Sequence, residues 1–444
     1  MKKFFLLIFA VIGISLYAQN SLLNSGPMVG YGQMTEVMLW VQTTKPAAVY
    51  YRYWESGDPK NKMASTVENT KEENAFTAHT LIQGLKPGKQ FEYEILVNGK
   101  IEKRSYPLRF QTQPLWQWRT DPPAFAVAFG SCAYINEPEA DRPGKSYGAD
   151  FEIFSSIASK NPDLMLWLGD NVYYRELDYN TVGGLRHRMT HDRALPELQA
   201  LFGATHNYAM WDDHDFGPND ADRSYRLKEA SLETFKMFWA NQTYGTAKLP
   251  GVFQRFEWGD VEFFMLDDRY HRSPNESPDD SNKTMFGKAQ VQWLKDVLVN
   301  STATFKIIAN GNQMLNLAGD KYESLAEFPF EHRDLLHYIK QQKISGILFL
   351  SGDRHMTELL QVPDSSFYTL YDYTSSSLTA GIANFTNEAE LKMRVPGTFI
   401  AEHNFGMLRF SGPRKDRKLT LECYDVKGIL RWSKDIRASE LKSK

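Results

Sequence analysis

The chain has 444 residues, a formal net charge of -3, and 42% hydrophobic and 14% aromatic residues. That length exceeds one average domain, and the apolar content excludes a generally disordered chain. A nearly neutral balance provides no global field for nucleic acid or an anionic membrane, so any anion recognition must be local.

The N-terminus reads as a targeting segment. Lys2 and Lys3 form a positive start, Phe4 to Leu16 an apolar stretch, and Leu16-Tyr17-Ala18 a small-residue end. The apolar stretch is shorter than the about 20 residues a membrane span needs. No twin-Arg pair is present and no cysteine follows the apolar stretch. Removal of residues 1–18 after general secretory export is expected, giving a soluble periplasmic or secreted monomer. The two cysteines, Cys132 and Cys423, leave two readings open: one disulfide, or two separate buried thiols.

Residues 19–112 read as an all-β sandwich. Val37, Leu39 and Val41 alternate with Met38, Trp40 and Gln42, and Asn98-Gly99 signals a hairpin. Leu85-Lys86-Pro87-Gly88 leading to Phe91 and Tyr93 resembles the strand entry of fibronectin type III domains, with Phe91 where that family has a corner tyrosine. Residues 113–123 are a Pro- and Trp-bearing linker. Over 124–426, strands alternate with helical periodicity, the pattern of a layered α/β fold. Strands are expected at Phe125–Phe129, Leu164–Leu168, Tyr208–Trp211, Val261–Leu266, Phe305–Ala309 and Ile347–Leu350. Residues 427–444 form a charged tail, with a helix expected from Arg431-Trp432 to Leu441.

Chemistry gathers where these strands end. Gly130-Ser131-Cys132 follows the first, Gly169-Asp170-Asn171-Val172-Tyr173 the second, and Asp212-Asp213-His214-Asp215 the third. Asp267-Asp268-Arg269, Asn310-Gly311-Asn312-Gln313 and Ser351-Gly352-Asp353-Arg354-His355 close the others. Open α/β sheets bind ligands at this edge. A single strand-end aspartate usually caps a turn. So many carboxylates together repel one another and cost several kcal/mol each to bury unless a cation compensates. Carboxylates and amides suit hard cations, whereas thiolate and phenolate favour a transition metal, which points to a mixed site. Two neighbouring metals would clamp an in-line displacement at phosphorus.

Taken in order, Gly130–Cys132, Gly169–Tyr173, Trp211–Asp215, Leu266–Arg269, Gln290–Leu294 and Gly352–His355 resemble the alkaline phosphatase D (PhoD-like) family of metallophosphoesterases. The Gly-Asp-x-x-Tyr element is also similar to purple acid phosphatases, whose Asp-x-His start and Gly-His-x-His end are absent here. The PhoD-like resemblance implies a four-layer α/β/β/α core, a ferric ion and one or more calcium ions. It implies metal ligands at Cys132, Asp170, Tyr173, Asp213, Asp353 and His355, with Asp170 bridging. It gives His214 the role of protonating the leaving oxygen or stabilising charge on the phosphoryl group; three neighbouring aspartates would hold it cationic. It further implies a small phosphoester substrate hydrolysed by a metal-activated hydroxide. Arg269 and Asn312 are candidate substrate contacts; Arg269 is equally suited to pairing with Asp267 or Asp268. Asn312-Gln313 stands where the wider superfamily has a metal-binding histidine. The other histidines, His206 among them, read as surface or helix residues, and His187 and His191 as an exposed pair on a helix. The competing class is an exported adhesion protein with structural calcium, for which Cys132, Tyr173 and His214 are poor ligands.

Overall fold

The computed structural model describes residues 21–317, 323–383 and 392–444. The targeting segment lies outside them. Two large sheets form the centre. In the nine-stranded sheet the order is Leu430–Arg437, Lys418–Asp425, Asn404–Ser411, Phe125–Gly130, Leu164–Leu168, His206–Met210, Leu23–Gly32, Glu36–Thr43 and Thr77–Gln83. The six-stranded sheet runs Gln254–Trp258, Val261–Met265, Phe305–Asn310, Ile347–Ser351, Leu370–Ser375 and Thr357–Val362. The chemistry-bearing strands are parallel within each sheet and buried along their length. Continuous apolar runs such as Leu164-Met165-Leu166-Trp167-Leu168 are what burial on both faces demands.

The sheets face one another through aromatic contacts. Phe129 meets Tyr373 edge-on at 4.8 Å, and Tyr208 stacks on Phe256 at 3.7 Å. Helices cover the outer faces. Ile153, Phe154 and Ile157 of Glu152–Ser159 and Leu198, Leu201 and Phe202 of Pro196–Ala204 point inward on one side. On the other side, Lys288–Asn300 buries Val291, Leu294 and Leu298, and Pro329–Gln341 buries Leu335 and Ile339. The result is a four-layer α/β/β/α core.

The N-terminal module is β-rich, and one of its two sheets continues the core. Leu23–Gly32 pairs in parallel with the His206–Met210 strand, Val29 opposite His206. Its other sheet, built on Ala48–Glu55 and Gln90–Val97, shares a core of Val37, Leu39, Val49, Tyr51, Ile95 and Phe110 with the first. Phe91 fills that core, stacked on Phe110 at 5.1 Å, and Tyr93 donates its hydroxyl to Gly203 O at 3.0 Å.

Three expectations are corrected. The tail is a strand, Leu430–Arg437, that buries Trp432 and Ile436 against Lys418–Asp425; only a 3-10 turn, Ala438–Leu441, follows. Spacing of four between Trp432 and Ile436 imitates a helix but equally keeps both on one strand face. His206 is buried inside a strand, its Nδ1 2.8 Å from Gly30 O and Nε2 3.0 Å from Gln111 O. Cys132 and Cys423 are both free and buried, so the disulfide reading falls. Among the described residues no helix is long and apolar enough to cross a membrane.

Candidate metal centre and reaction cleft

The C-terminal edges of the two sheets meet, and glycines let them approach. A side chain at Gly169, whose φ is +93°, would strike Asp212 Cβ at 2.6 Å. One at Gly352 would lie 2.6 Å from Ser131 Oγ and 3.0 Å from Leu168 O, a contact between the sheets. Beyond these glycines the backbone is strained. Cys132, Asp170, Asp353 and His355 adopt φ of +60°, +52°, +61° and +52°. Each such left-handed residue costs on the order of 1 kcal/mol or more and persists only where surrounding structure enforces it.

The strain brings donors together. Cys132 Sγ lies 3.5 Å from Asp170 Oδ2, and Tyr173 donates its hydroxyl to the same oxygen at 3.1 Å. Tyr173 OH is also 3.3 Å from His355 Nε2. On the other side, the backbone N–H of His214 donates to Asp170 Oδ1 at 3.2 Å. Ligand atoms of Cys132, Asp170 and His355 form one cluster within 4.8 Å, and those of Asp170, Asp213 and His214 a second that shares Asp170. A third cluster joins Asp213, Asp220 and Glu323. Asp353 lines the same cleft, a cavity of about 850 Å³.

A buried aspartate outside these clusters sets their geometry. Asp215 accepts hydrogen bonds from the backbone N–H groups of Asp170 (3.1 Å), Asn171 (3.1 Å) and Asp212 (2.7 Å), and from Asn171 Nδ2 (2.7 Å). It thereby ties the ends of two strands into one rigid corner.

The electrostatics of the site follow from how closely its acids are packed and how deeply they are buried. Burial, then Asp213 and Cys132, drives the Asp170 carboxyl well above the ordinary range. Burial and then Glu323 push Asp353 to about 7, and burial with Asp353 raises the Cys132 thiol to about 11. Burial with Asp170 raises the Tyr173 phenol well above its usual value. Each group is pushed toward its neutral form by burial and by its acidic neighbours, so a bound cation would be favoured here. Thiol, phenol, imidazole and carboxylate together fit a transition-metal ion, and the neighbouring carboxylates fit hard cations.

Several residues do other work than the sequence implies. Arg269 is wholly buried, donates from Nε to Asp212 Oδ1 at 2.5 Å, and forms a paired contact with Glu323. Asn312 donates from Nδ2 to Asp212 Oδ2 at 3.1 Å and accepts from Arg272 Nη1 at 3.0 Å. Neither lines the cleft. Both are candidate substrate contacts by sequence; in the structure both hold Asp212 in place. Gln313 likewise turns away, donating to Glu358 and Thr374 at 2.8 and 2.7 Å. His214 lies 3.9 Å from Asp213 and its ring packs 4.2 Å from Tyr173. Burial outweighs Asp213 and lowers its pKa, the reverse of the cationic expectation. Sequence reading missed Glu323 and Tyr147. Glu323 follows no strand, and Tyr147, whose hydroxyl is 3.4 Å from His355 Nδ1, stands in a polar loop without a motif.

Paired parallel sheets with donor-rich ends facing one another define the metallophosphoesterase class of fold. The profile of the PhoD-like phosphatase family matches residues 126–403, and the chain belongs to that family. Residues 20–114 match a domain of unknown function, DUF7800. Alkaline phosphatase D of Bacillus subtilis (strain 168) is 22% identical over 361 residues, 70% of this chain and 58% of that protein. The match thus spans little more than half of that relative's length. Among solved structures, PhoD superposes with a TM-score of 0.76 at 17% identity, covering 94% of this chain and 92% of the other. Purple acid phosphatase PPD1 from yellow lupin (Lupinus luteus) seeds gives 0.68 at 12% identity, over 93% and 74%.

Proposed function

We propose that the protein is an exported, metal-dependent phosphoric ester hydrolase acting on small mono- or diesters. The observation that carries this reading is the convergence of Cys132, Tyr173, His355 and Asp213 around one carboxylate, Asp170, at the floor of an open cleft. Cys132, Asp170, Tyr173 and His355 would hold a ferric ion. Asp170, Asp213 and Asp353 would face calcium. When bound, the metals supply positive charge at phosphoryl oxygen and lower the pKa of an attacking water.

The chain's own groups do the rest. Asp170 is held at both oxygens, by Tyr173 OH and by the His214 N–H, so its two lone-pair faces stay directed to opposite sides. Asp215 fixes the backbone that carries Asp170 and Asp212. The His214 imidazole, partly open to the cleft beside Tyr173, presents an N–H that can donate a hydrogen bond to a phosphoryl or departing oxygen as negative charge develops on it. Export rests on the composition of residues 1–18. A purely structural calcium site would not place a thiol and a phenol against its central carboxylate.

Asp170→Asn tests the reading. Turnover of p-nitrophenyl phosphate esters should fall at least about 100-fold, as loss of a metal-orienting group entails. Metal-free Asp170→Asn should melt no lower than metal-free wild type, because it removes a carboxyl that burial disfavours. Chelated wild type should regain activity with Ca²⁺ and not with Zn²⁺ alone. Full activity in the variant, or rescue by zinc alone, defeats the assignment.

A further inference from the structure

A second cavity adjoins the reaction cleft at His214. It has a volume of about 700 Å³ and shares Tyr147, His214 and Asn219 with the reaction cleft. Tyr173 and His214 line it beside the reaction cleft, and Tyr134, Tyr147 and Tyr179 contribute further phenol rings to its walls. Such a volume accommodates a whole small molecule, far more than a phosphoryl group requires.

The wall formed by residues 134–149 is built by specific bonds. Asn136 and Gly148 exchange two hydrogen bonds, Nδ2 to O at 2.9 Å and N to Oδ1 at 3.0 Å. Asp141 accepts from Tyr134 OH and from Glu137 N, both at 2.8 Å, and pairs with buried Arg175 at 3.1 Å. The ring of Tyr147 meets that of Tyr134 edge-on at 4.9 Å. Groups fixed in this way bind without a large ordering cost.

Charge separates the two cavities. The reaction cleft carries Glu276, Asp279 and Glu327, and there Lys283 pairs with Asp279 at 2.8 Å and Arg354 donates to Gln313 at 2.8 Å. The second chamber carries Arg142 and Lys145. Arg142 pairs with Glu176 at 2.8 Å, and Asp141 is taken up by Arg175. Exposed Lys145 has no ion-pair partner among the described residues, so this rim keeps a positive charge open to a ligand. Phenol rings beside an open ammonium group suit a flat ring that carries an outward anion.

We propose that this chamber is the subsite for one ester substituent of a phosphodiester, selecting a planar ring with a further phosphate, as in a nucleoside bisphosphate unit. The proposal rests on the hydrolase reading above. The phosphoryl group sits in the shared zone at His214 and Tyr147, the ring lies along the tyrosines, and Lys145 meets the distal phosphate.

The test uses the metal-replete full chain and three diesters: methyl p-nitrophenyl phosphate, thymidine 5′-(p-nitrophenyl phosphate), and the latter with a 3′-phosphate. kcat/KM should rise in that order, with the last above the first by at least about tenfold. Lys145→Glu should lower the last by about tenfold, through KM, as reversal of one partly exposed charge allows, and leave the methyl ester unchanged. Calorimetric binding of thymidine 3′,5′-bisphosphate should weaken in parallel. Equal kcat/KM for the three esters overturns the subsite, as does a Lys145→Glu effect shared by the methyl ester. Turnover of none of them, with Lys145-dependent binding of the bisphosphate retained, overturns the hydrolase reading and keeps the subsite. Loss of both overturns both.

Discussion

Arg269 is enclosed by Asp212 and Glu323; Arg269 and Asp212 are shut off from solvent, and Glu323 is largely covered at the cleft wall. Such a network costs more to break than to build. Arg269→Met would leave buried Asp212 without its charged partner and Glu323 with Arg272 alone, a loss of about 3–5 kcal/mol. Denaturant unfolding of the metal-free chain should show that drop. His214 presents the opposite case, a partly open imidazole with light structural duty. His214→Asn should keep the fold and reduce kcat by about 10²–10⁴-fold. The loss should be larger for an alkyl ester than for a p-nitrophenyl ester, whose leaving oxygen carries its charge unaided. Equal losses for both esters would move His214 from hydrogen-bond donor at the leaving oxygen to a purely positioning role.

At the scale of strands, the parallel centre was legible because burial on both faces leaves a plain mark. Leu164–Leu168 and Ile347–Ser351 are apolar runs ending in glycine and carboxylate. Leu23–Gly32 leaves no such mark. It holds Gly26, Pro27, Gly30 and Gly32, which read as turn residues, yet it is buried beside the His206–Met210 strand. Gly30 and Gly32 are there because Ala240 and the His206 ring occupy the space a Cβ would need, 2.3 and 2.4 Å away. Spatial crowding of this kind has no sequence signature. Likewise the donor types of the site were readable from strand ends, whereas the left-handed backbone at Cys132 and Asp353 and the reach of Glu323 depend on which ends meet.

His206 makes this seam sensitive to acid. Burial lowers its pKa from 6.5 to about 4, despite the carbonyls of Gly30 and Gln111. The folded chain therefore holds a neutral imidazole where the unfolded chain is protonated. Stability is full above pH about 6.5 and falls by about 3 kcal/mol as pH drops toward 4. Melting curves across that window should flatten in His206→Gln relative to wild type.

For the whole molecule, the shared sheet removes the independence that a separate front module would have. Residues 113–444 produced alone would expose the edge of the His206–Met210 strand and lose the cover of Leu23–Gly32. We expect that fragment to aggregate or to melt without a cooperative transition; a soluble, cooperatively folding fragment would contradict the role given to the seam.

The meeting of the sheet edges also orders events in time. Ser131 O accepts from Leu378 N, and Cys132 O from Thr379 N and Ala380 N, so the pocket around the thiol closes only with a segment some 250 residues further along. Were the chain exported as an extended polymer, as proposed above, that closure would follow the crossing of nearly all of it. Assembly of the centre would then be a late event outside the cytoplasm, and the ions it holds would be drawn from that compartment.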